Sequence, residues 1–165
     1  MKKDVKYTLF ILKKIFILLC VIGCILWIGF IFYNSNNVGN ISQKQSKAIT
    51  RIIKEKTKNI DIVQNTKKYI NKDLNALVRK NAHFMEYLIL AIFISITFFS
   101  FKFKGKKALI YIFFICLFLA VLDEFNQSFV SGRSSTVKDI VIDFSGSVSG
   151  TFIYYFIYYV IYNKF

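Results

Sequence analysis

Four long apolar runs, separated by shorter basic stretches, set the pattern of this chain: Ile15–Tyr33, Phe84–Phe101, Ala108–Leu122 and Ile140–Ile161. A bilayer hydrocarbon core of about 30 Å calls for about 20 helical residues. The pattern therefore predicts an all-α membrane protein with four transmembrane helices in a bundle. The third run reaches only about 22 Å at 1.5 Å per residue. Its helix is expected to continue toward Val130, which would carry Asp123 and Glu124 below the membrane surface. The chain divides into a basic N-terminal stretch (1–14), a first span (15–33), a basic segment (34–82) and a region of three spans (83–165). Within the basic segment, Ile49, Ile52 and Ile53, then Ile70, Leu74, Leu77 and Val78, fall at helical spacing with Lys between them. That spacing predicts an amphipathic helix lying on the membrane and running into the second span.

Composition supports lipid over water, since 55% apolar residues with 19 Phe and 10 Tyr exceed what a soluble domain ordinarily carries. The formal charge of +14 would suit a nucleic-acid binder if it were gathered on one face. Lys and Arg instead sit between apolar runs, so the bilayer is the expected partner and nucleic acid is not. Lys2, Lys3, Lys6, Lys13 and Lys14 precede the first run, whose length and lack of a small-residue cleavage site favour an uncleaved anchor. Short basic loops are retained in the cytoplasm. Lys102, Lys104, Lys106 and Lys107, between the second and third runs, therefore place that turn and both termini on the cytoplasmic side. The basic segment over 34–82 would then lie outside, at a length that steers orientation less. Cys20, Cys24 and Cys116 all lie within apolar runs, so no disulfide framework is expected.

On this topology the non-lysine charges converge on the outer membrane face. Arg79, His83 and Glu86 are spaced i, i+4, i+7 and form one helical stripe. Asp123 and Glu124 lie four and three residues before Gln127 and share its side. Asp139, Asp143, Gly146 and Gly150 form a second stripe, two carboxylates followed by a small-xxx-small pair that lets helices approach closely in lipid. Charges near the middle of a span cost about 2.5–3.5 kcal/mol each, so the acids are expected to pair with Arg79, Arg133 and protonated His83. Gly132 suits a turn, Ser134 and Ser135 follow it, and Thr136 with Asp139 fits a capping box opening the last helix. Arg133 carries a fork of donors suited to a carboxylate or a phosphate.

These residues also carry a resemblance. Arg79-Lys80-Asn81-Ala82-His83-Phe84-Met85-Glu86-Tyr87-Leu88-Ile89-Leu90 resembles the RKxxHxxEYxxL signature of the VanZ-like family. Asp123-Glu124 with Gln127 and Phe129 resembles its DExxQxF, and Gly132-Arg133 with Asp139 its GRxxxxxD; Gly146 and Gly150 complete the pattern. Ser131 stands where the family often has proline. Asp143 stands where it often has asparagine, which adds a charge to the site. The resemblance implies a polytopic membrane protein of bacteria, located in the cytoplasmic membrane, in a family whose founding member confers low-level teicoplanin resistance. It also adds Lys80 and Tyr87 to the candidate cluster.

Three functions fit. The cluster of Arg79, Lys80, His83, Glu86, Tyr87, Asp123, Glu124, Gln127, Arg133, Asp139 and Asp143 would bind a cell-envelope component, such as the phosphate-bearing head group of a lipid-linked precursor. An intramembrane enzyme acting on a lipid-linked phosphate would use His83 as base, or a hard ion such as Mg²⁺ or Mn²⁺ held by carboxylates. A structural network would lock the helices without a ligand. A single His is a thin ligand set, so the sequence assigns no metal and no cofactor. A transport pathway through four spans would need a second copy, which leaves a homo-oligomer open.

Overall fold

The computed structural model describes residues 2–36, 64–131, 133 and 135–162. These form four helices: α1 (Lys2–Ser35), α2 (Gln64–Ser100), α3 (Lys106–Gln127) and α4 (Val137–Tyr162). Each contains a stretch long and apolar enough to cross a membrane, namely Tyr7–Ser35, Leu77–Ser100, Lys106–Gln127 and Val137–Ile161. The all-α, four-span architecture expected from the hydrophobic pattern is the one observed.

Every helix outruns its apolar run. α1 continues through Asn34 and Ser35, and α3 takes in Asp123, Glu124 and Gln127. Polar side chains do not end a helix when a neighbouring helix offers them partners, and hydropathy alone does not register those partners. α2 begins at Gln64, so Ile70, Leu74, Leu77 and Val78 lie on a helix continuous with the second span. The proposed helical face at Ile49, Ile52 and Ile53 lies outside the described residues, as do Gly132, Ser134 and Lys164.

The outward faces are apolar. Leu18 and Leu26 on α1, Phe114 and Phe118 on α3, and Phe152 and Phe156 on α4 are exposed. An apolar surface of this extent is stable in lipid and not in water, while helices satisfy their own backbone groups there. The chain is a multi-pass membrane protein.

Inside, α2 is the central element. It packs most extensively on α4 and also meets α1 and α3, whereas α1 packs on α2 and α3. The core joins Ile31 of α1, Tyr87, Leu90, Ala91 and Ile94 of α2, and Ala108, Ile112, Cys116 and Ala120 of α3. The α2–α4 contact is backbone against backbone: a Cβ on Gly146 would fall on the Phe84 carbonyl, and one on Gly150 on the Leu88 carbonyl. Buried hydroxyls nearby are satisfied within their own helices. Ser95 donates to the Ala91 carbonyl at 2.7 Å and Thr151 to that of Ser147 at 2.8 Å.

The opposite end carries the basic turn. α2 ends in a Schellman arrangement, with Lys102 at φ 62°. The Phe103 N–H donates to the Phe98 carbonyl at 3.0 Å and the Lys102 N–H to that of Phe99 at 2.9 Å. The accompanying apolar contact is Phe98 on Phe103, with ring centroids 5.6 Å apart. Lys104 donates to the Tyr158 hydroxyl and Tyr155 to the Gly105 carbonyl, which tie the turn to the end of α4.

Overpacking at the α2–α4 seam meets backbone that cannot step aside. Gly150→Leu is expected to destabilise the bundle by about 3 kcal/mol, while Gly29→Leu, with nothing within 4 Å of the added Cβ, should be neutral. Thermal unfolding of the two variants in detergent checks the contrast.

Candidate functional site

The polar residues gather at one end of the bundle. α1 finishes there with Asn34 and Ser35, and α2 passes through Arg79, Lys80, His83 and Glu86. α3 finishes with Asp123, Glu124 and Gln127, and α4 begins with Asp139 and Asp143. On α3 the buried residues are Ala108, Ile112, Cys116, Ala120, Asp123, Glu124 and Gln127. That helical stripe turns from apolar to acidic in its last two turns, and so delivers carboxylates into the bundle.

Among the described residues Asp123 and Asp143 are the most deeply buried acids, 0% and 1% exposed. His83 joins them, and one ligating atom from each of the three lies within 4.8 Å of the other two. The Gln127 amide donates to Asp123 Oδ2 at 2.9 Å and approaches Ser35 Oγ at 3.4 Å. The second oxygen of Asp123 and both oxygens of Asp143 have no hydrogen-bond partner among the described residues. The adjacent Ser147 hydroxyl gives no help, since it donates to the Asp143 backbone carbonyl at 3.2 Å. Buried polar atoms are ordinarily paired, because desolvating a carboxylate without compensation is costly.

A second layer supports this trio. Glu86 Oε2 lies 3.4 Å from His83 Nδ1, and its other oxygen accepts from Asn34 Nδ2 at 2.8 Å. The Glu86 backbone carbonyl accepts the Trp27 indole N–H at 2.9 Å. Tyr87, fully buried, donates to the Leu119 carbonyl at 3.2 Å and ties α2 to α3.

At the rim, Thr136 caps α4. Its hydroxyl accepts the Asp139 N–H at 3.3 Å and donates to Asp139 Oδ2 at 2.8 Å. In a capping box the acid three residues on would take the cap residue's own N–H. Here Glu124 of α3 takes it, with Thr136 N donating to Oε2 at 2.9 Å. Lys80 Nζ lies 3.5 Å from Asp139 Oδ1, and Arg133 donates to the Asn34 backbone carbonyl at 3.0 Å. Burial, and then the charge of nearby Arg79, hold the Arg133 guanidinium below its usual pKa against the opposing pull of Asp123, Glu124 and Glu86.

The structure divides residues that the sequence groups together. Asp143 meets His83 and Asp123, whereas Asp139, one turn earlier on the same stripe, belongs to the helix start and to Lys80. One turn is about 5.4 Å, enough to move a carboxylate from bundle interior to rim. The sequence expects the acids to pair with Arg79, Arg133 and protonated His83. His83 does lie against Glu86, Lys80 adds a contact with Asp139, and Arg133 also reaches the main chain of α1. Gly146 and Gly150 lie against α2, one and two turns below Asp143.

Asn34, Ser35 and Trp27 enter the site without having been singled out from the sequence. The hydrophobic pattern puts Asn34 and Ser35 in the segment after the first span, although Tyr33-Asn34-Ser35-Asn36 contains no helix breaker to stop α1. Trp27 lay inside an apolar run, where its indole N–H was the one sign of a polar contact.

Comparison with known families adds a finding of its own: the VanZ/LLP1 family model matches residues 19–158, from within α1 nearly to the end of α4. The chain belongs to the VanZ/LLP1 family. No curated protein and no solved structure matches it. In this VanZ/LLP1 chain the matched region contains the complete polar end and the glycine seam together, so the family match and the three-dimensional cluster cover the same residues.

Glu124 serves the α4 start by accepting the Thr136 N–H, with the Ser135 hydroxyl as a further donor. Glu124→Ala should cost about 1 kcal/mol, in the range for a lost cap, and Glu124→Gln, which keeps an acceptor, should recover most of it. Unfolding temperatures of the three proteins measure this.

Proposed function

We propose that this VanZ/LLP1 protein binds the polar head of a cell-envelope component at its acid–imidazole end, and that this binding contributes to teicoplanin resistance. The observation that carries the proposal is a rim of cations over a floor of buried acids. Lys80 and Arg133, with Arg79 close enough to perturb Arg133, border a cluster whose interior holds His83, Asp123 and Asp143. Guanidinium and ammonium groups at head-group depth suit the phosphate of a lipid-linked precursor. The acids beneath suit hydroxyl or amine donors of the same head group.

Orientation supports the same assignment. The far end of the bundle carries Lys13, Lys14, Lys102 and Lys104, and short basic segments are retained in the cytoplasm. The acid–imidazole end then faces outward from a bacterial cytoplasmic membrane, with both termini inside.

Catalysis on a lipid-linked phosphate is a second reading, favoured by one contact: Glu86 against His83 Nδ1 is the pairing that orients an imidazole for proton transfer. Release of phosphate from a lipid phosphate by the purified protein, lost in His83→Asn, would select it. Glu124 is occupied by the Thr136 cap and is assigned to structure under both readings.

The test is teicoplanin susceptibility of a sensitive host expressing the native chain. Native protein should raise resistance, and Arg133→Gln or His83→Asn should return it to the level of cells without the protein, at equal amounts in the membrane. Full resistance in both variants would refute the binding role.

A further inference from the structure

We infer that His83, Asp123 and Asp143 form a site for one divalent first-row metal ion, Mn²⁺ or Zn²⁺, held between α2, α3 and α4. The inference goes beyond the head-group reading and holds whichever envelope component is bound.

It begins with the partners of the buried oxygens. Asp123 and Asp143 bring four carboxylate oxygens to positions 0% and 1% exposed, and Gln127 satisfies one of them. The remaining three have no hydrogen-bond partner among the described residues. Buried carboxylates persist when they are paired or bind a metal. A proton held by one of the acids would offset only one of the two charges. A cation at the centre compensates both charges at once and adds the His83 nitrogen as a third ligand.

The geometry fits such an ion with small adjustments. Ligand atoms about 2.1 Å from a metal stand about 3.4 Å apart in a tetrahedral site. Those of the trio lie within 4.8 Å of one another, a spacing that side-chain rotation closes. One imidazole with two carboxylates is a mixed set: carboxylate suits Mn²⁺, imidazole suits Zn²⁺, and no soft sulfur ligand is among them. Ca²⁺ prefers six to eight oxygen ligands, which this trio does not offer.

The surroundings are those of a supported site. Metal-binding histidines are oriented by a carboxylate behind the ring, and ligating carboxylates are themselves hydrogen-bonded. Glu86 lies against His83 Nδ1, Asn34 holds Glu86, and Gln127 holds Asp123. The side chains of His83 and Glu86 each retain 15% exposure, which leaves an entry path and room for a water or head-group oxygen as a further ligand.

The test uses the full-length protein, purified in detergent, stripped with chelator, loaded separately with Mn²⁺ or Zn²⁺ and dialysed. Elemental analysis should find one ion per chain for at least one of the two metals, and that metal should raise the unfolding temperature. Asp143→Asn and Asp123→Asn should each lower affinity at least about tenfold, while Asp139→Asn, at the rim, should retain the metal. Chelated Asp143→Asn should unfold at or above the temperature of the chelated native chain, because it removes a buried carboxyl group whose oxygens have no hydrogen-bond partner. That comparison separates lost binding from lost folding. The site is refuted if the native chain retains neither metal, or if Asp143→Asn binds as the native chain does. Resistance that persists in a metal-free native chain would leave the head-group reading standing without the metal, so the two proposals fail separately.

Discussion

The contact of α2 with α4 governs this structure. Gly146 and Gly150 let the α4 backbone settle on the carbonyls of Phe84 and Leu88. His83 immediately precedes the first of those carbonyls on α2, and Asp143 lies one turn before Gly146 on α4. The glycine seam therefore fixes the lateral distance between imidazole and carboxylate. In lipid no hydrophobic force draws helices together, and close packing of small residues replaces it. The same packing that desolvates Asp143 brings the His83 imidazole beside it, which favours its charge, and the Asp123 carboxylate, which opposes it.

Support around the acids is uneven in an informative way. Glu86, Glu124 and Asp139 have partners that define them: Asn34 and His83 for the first, the Thr136 N–H for the second, Thr136 and Lys80 for the third. Asp143 has none among its neighbours' donors, although it is buried. Networks that exist only to hold helices together satisfy their members, since a half-satisfied buried network is worse than an apolar one. The unevenness separates the trio, three of whose carboxylate oxygens have no hydrogen-bond partner, from Glu124 and Asp139, which are held at the start of α4.

Much of this was legible in the sequence. The four apolar runs gave the spans because about 20 residues are needed to cross the bilayer and a chain has few other uses for such runs. Helical spacing placed His83, Asp123 and Asp143 near one end of the bundle. It did not distinguish Asp143 from Asp139, because residues four apart share a face and only the rotation and depth of α4 against α2 decide which is inside. Asn34 and Ser35 were illegible for another reason: hydropathy ends α1 at Tyr33, while the helix continues because Glu86 and Gln127 receive its last polar side chains. The third-helix stripe of Ala108, Ile112, Cys116 and Ala120 was visible as spacing in principle, but it is embedded in a run where nearly every residue is apolar.

The Glu124–Thr136 hydrogen bond couples two secondary structures that are usually considered one at a time. The first turn of α4 borrows an acceptor from the last turn of α3, so its opening amide is satisfied only once the two helices stand side by side. A lone α4 would leave that amide exposed at the membrane boundary, and α3 without α4 would leave a carboxylate there. The pair is consequently suited to enter the bilayer as a single helical hairpin, in which the opening amide of α4 and the Glu124 carboxylate are hydrogen-bonded to each other.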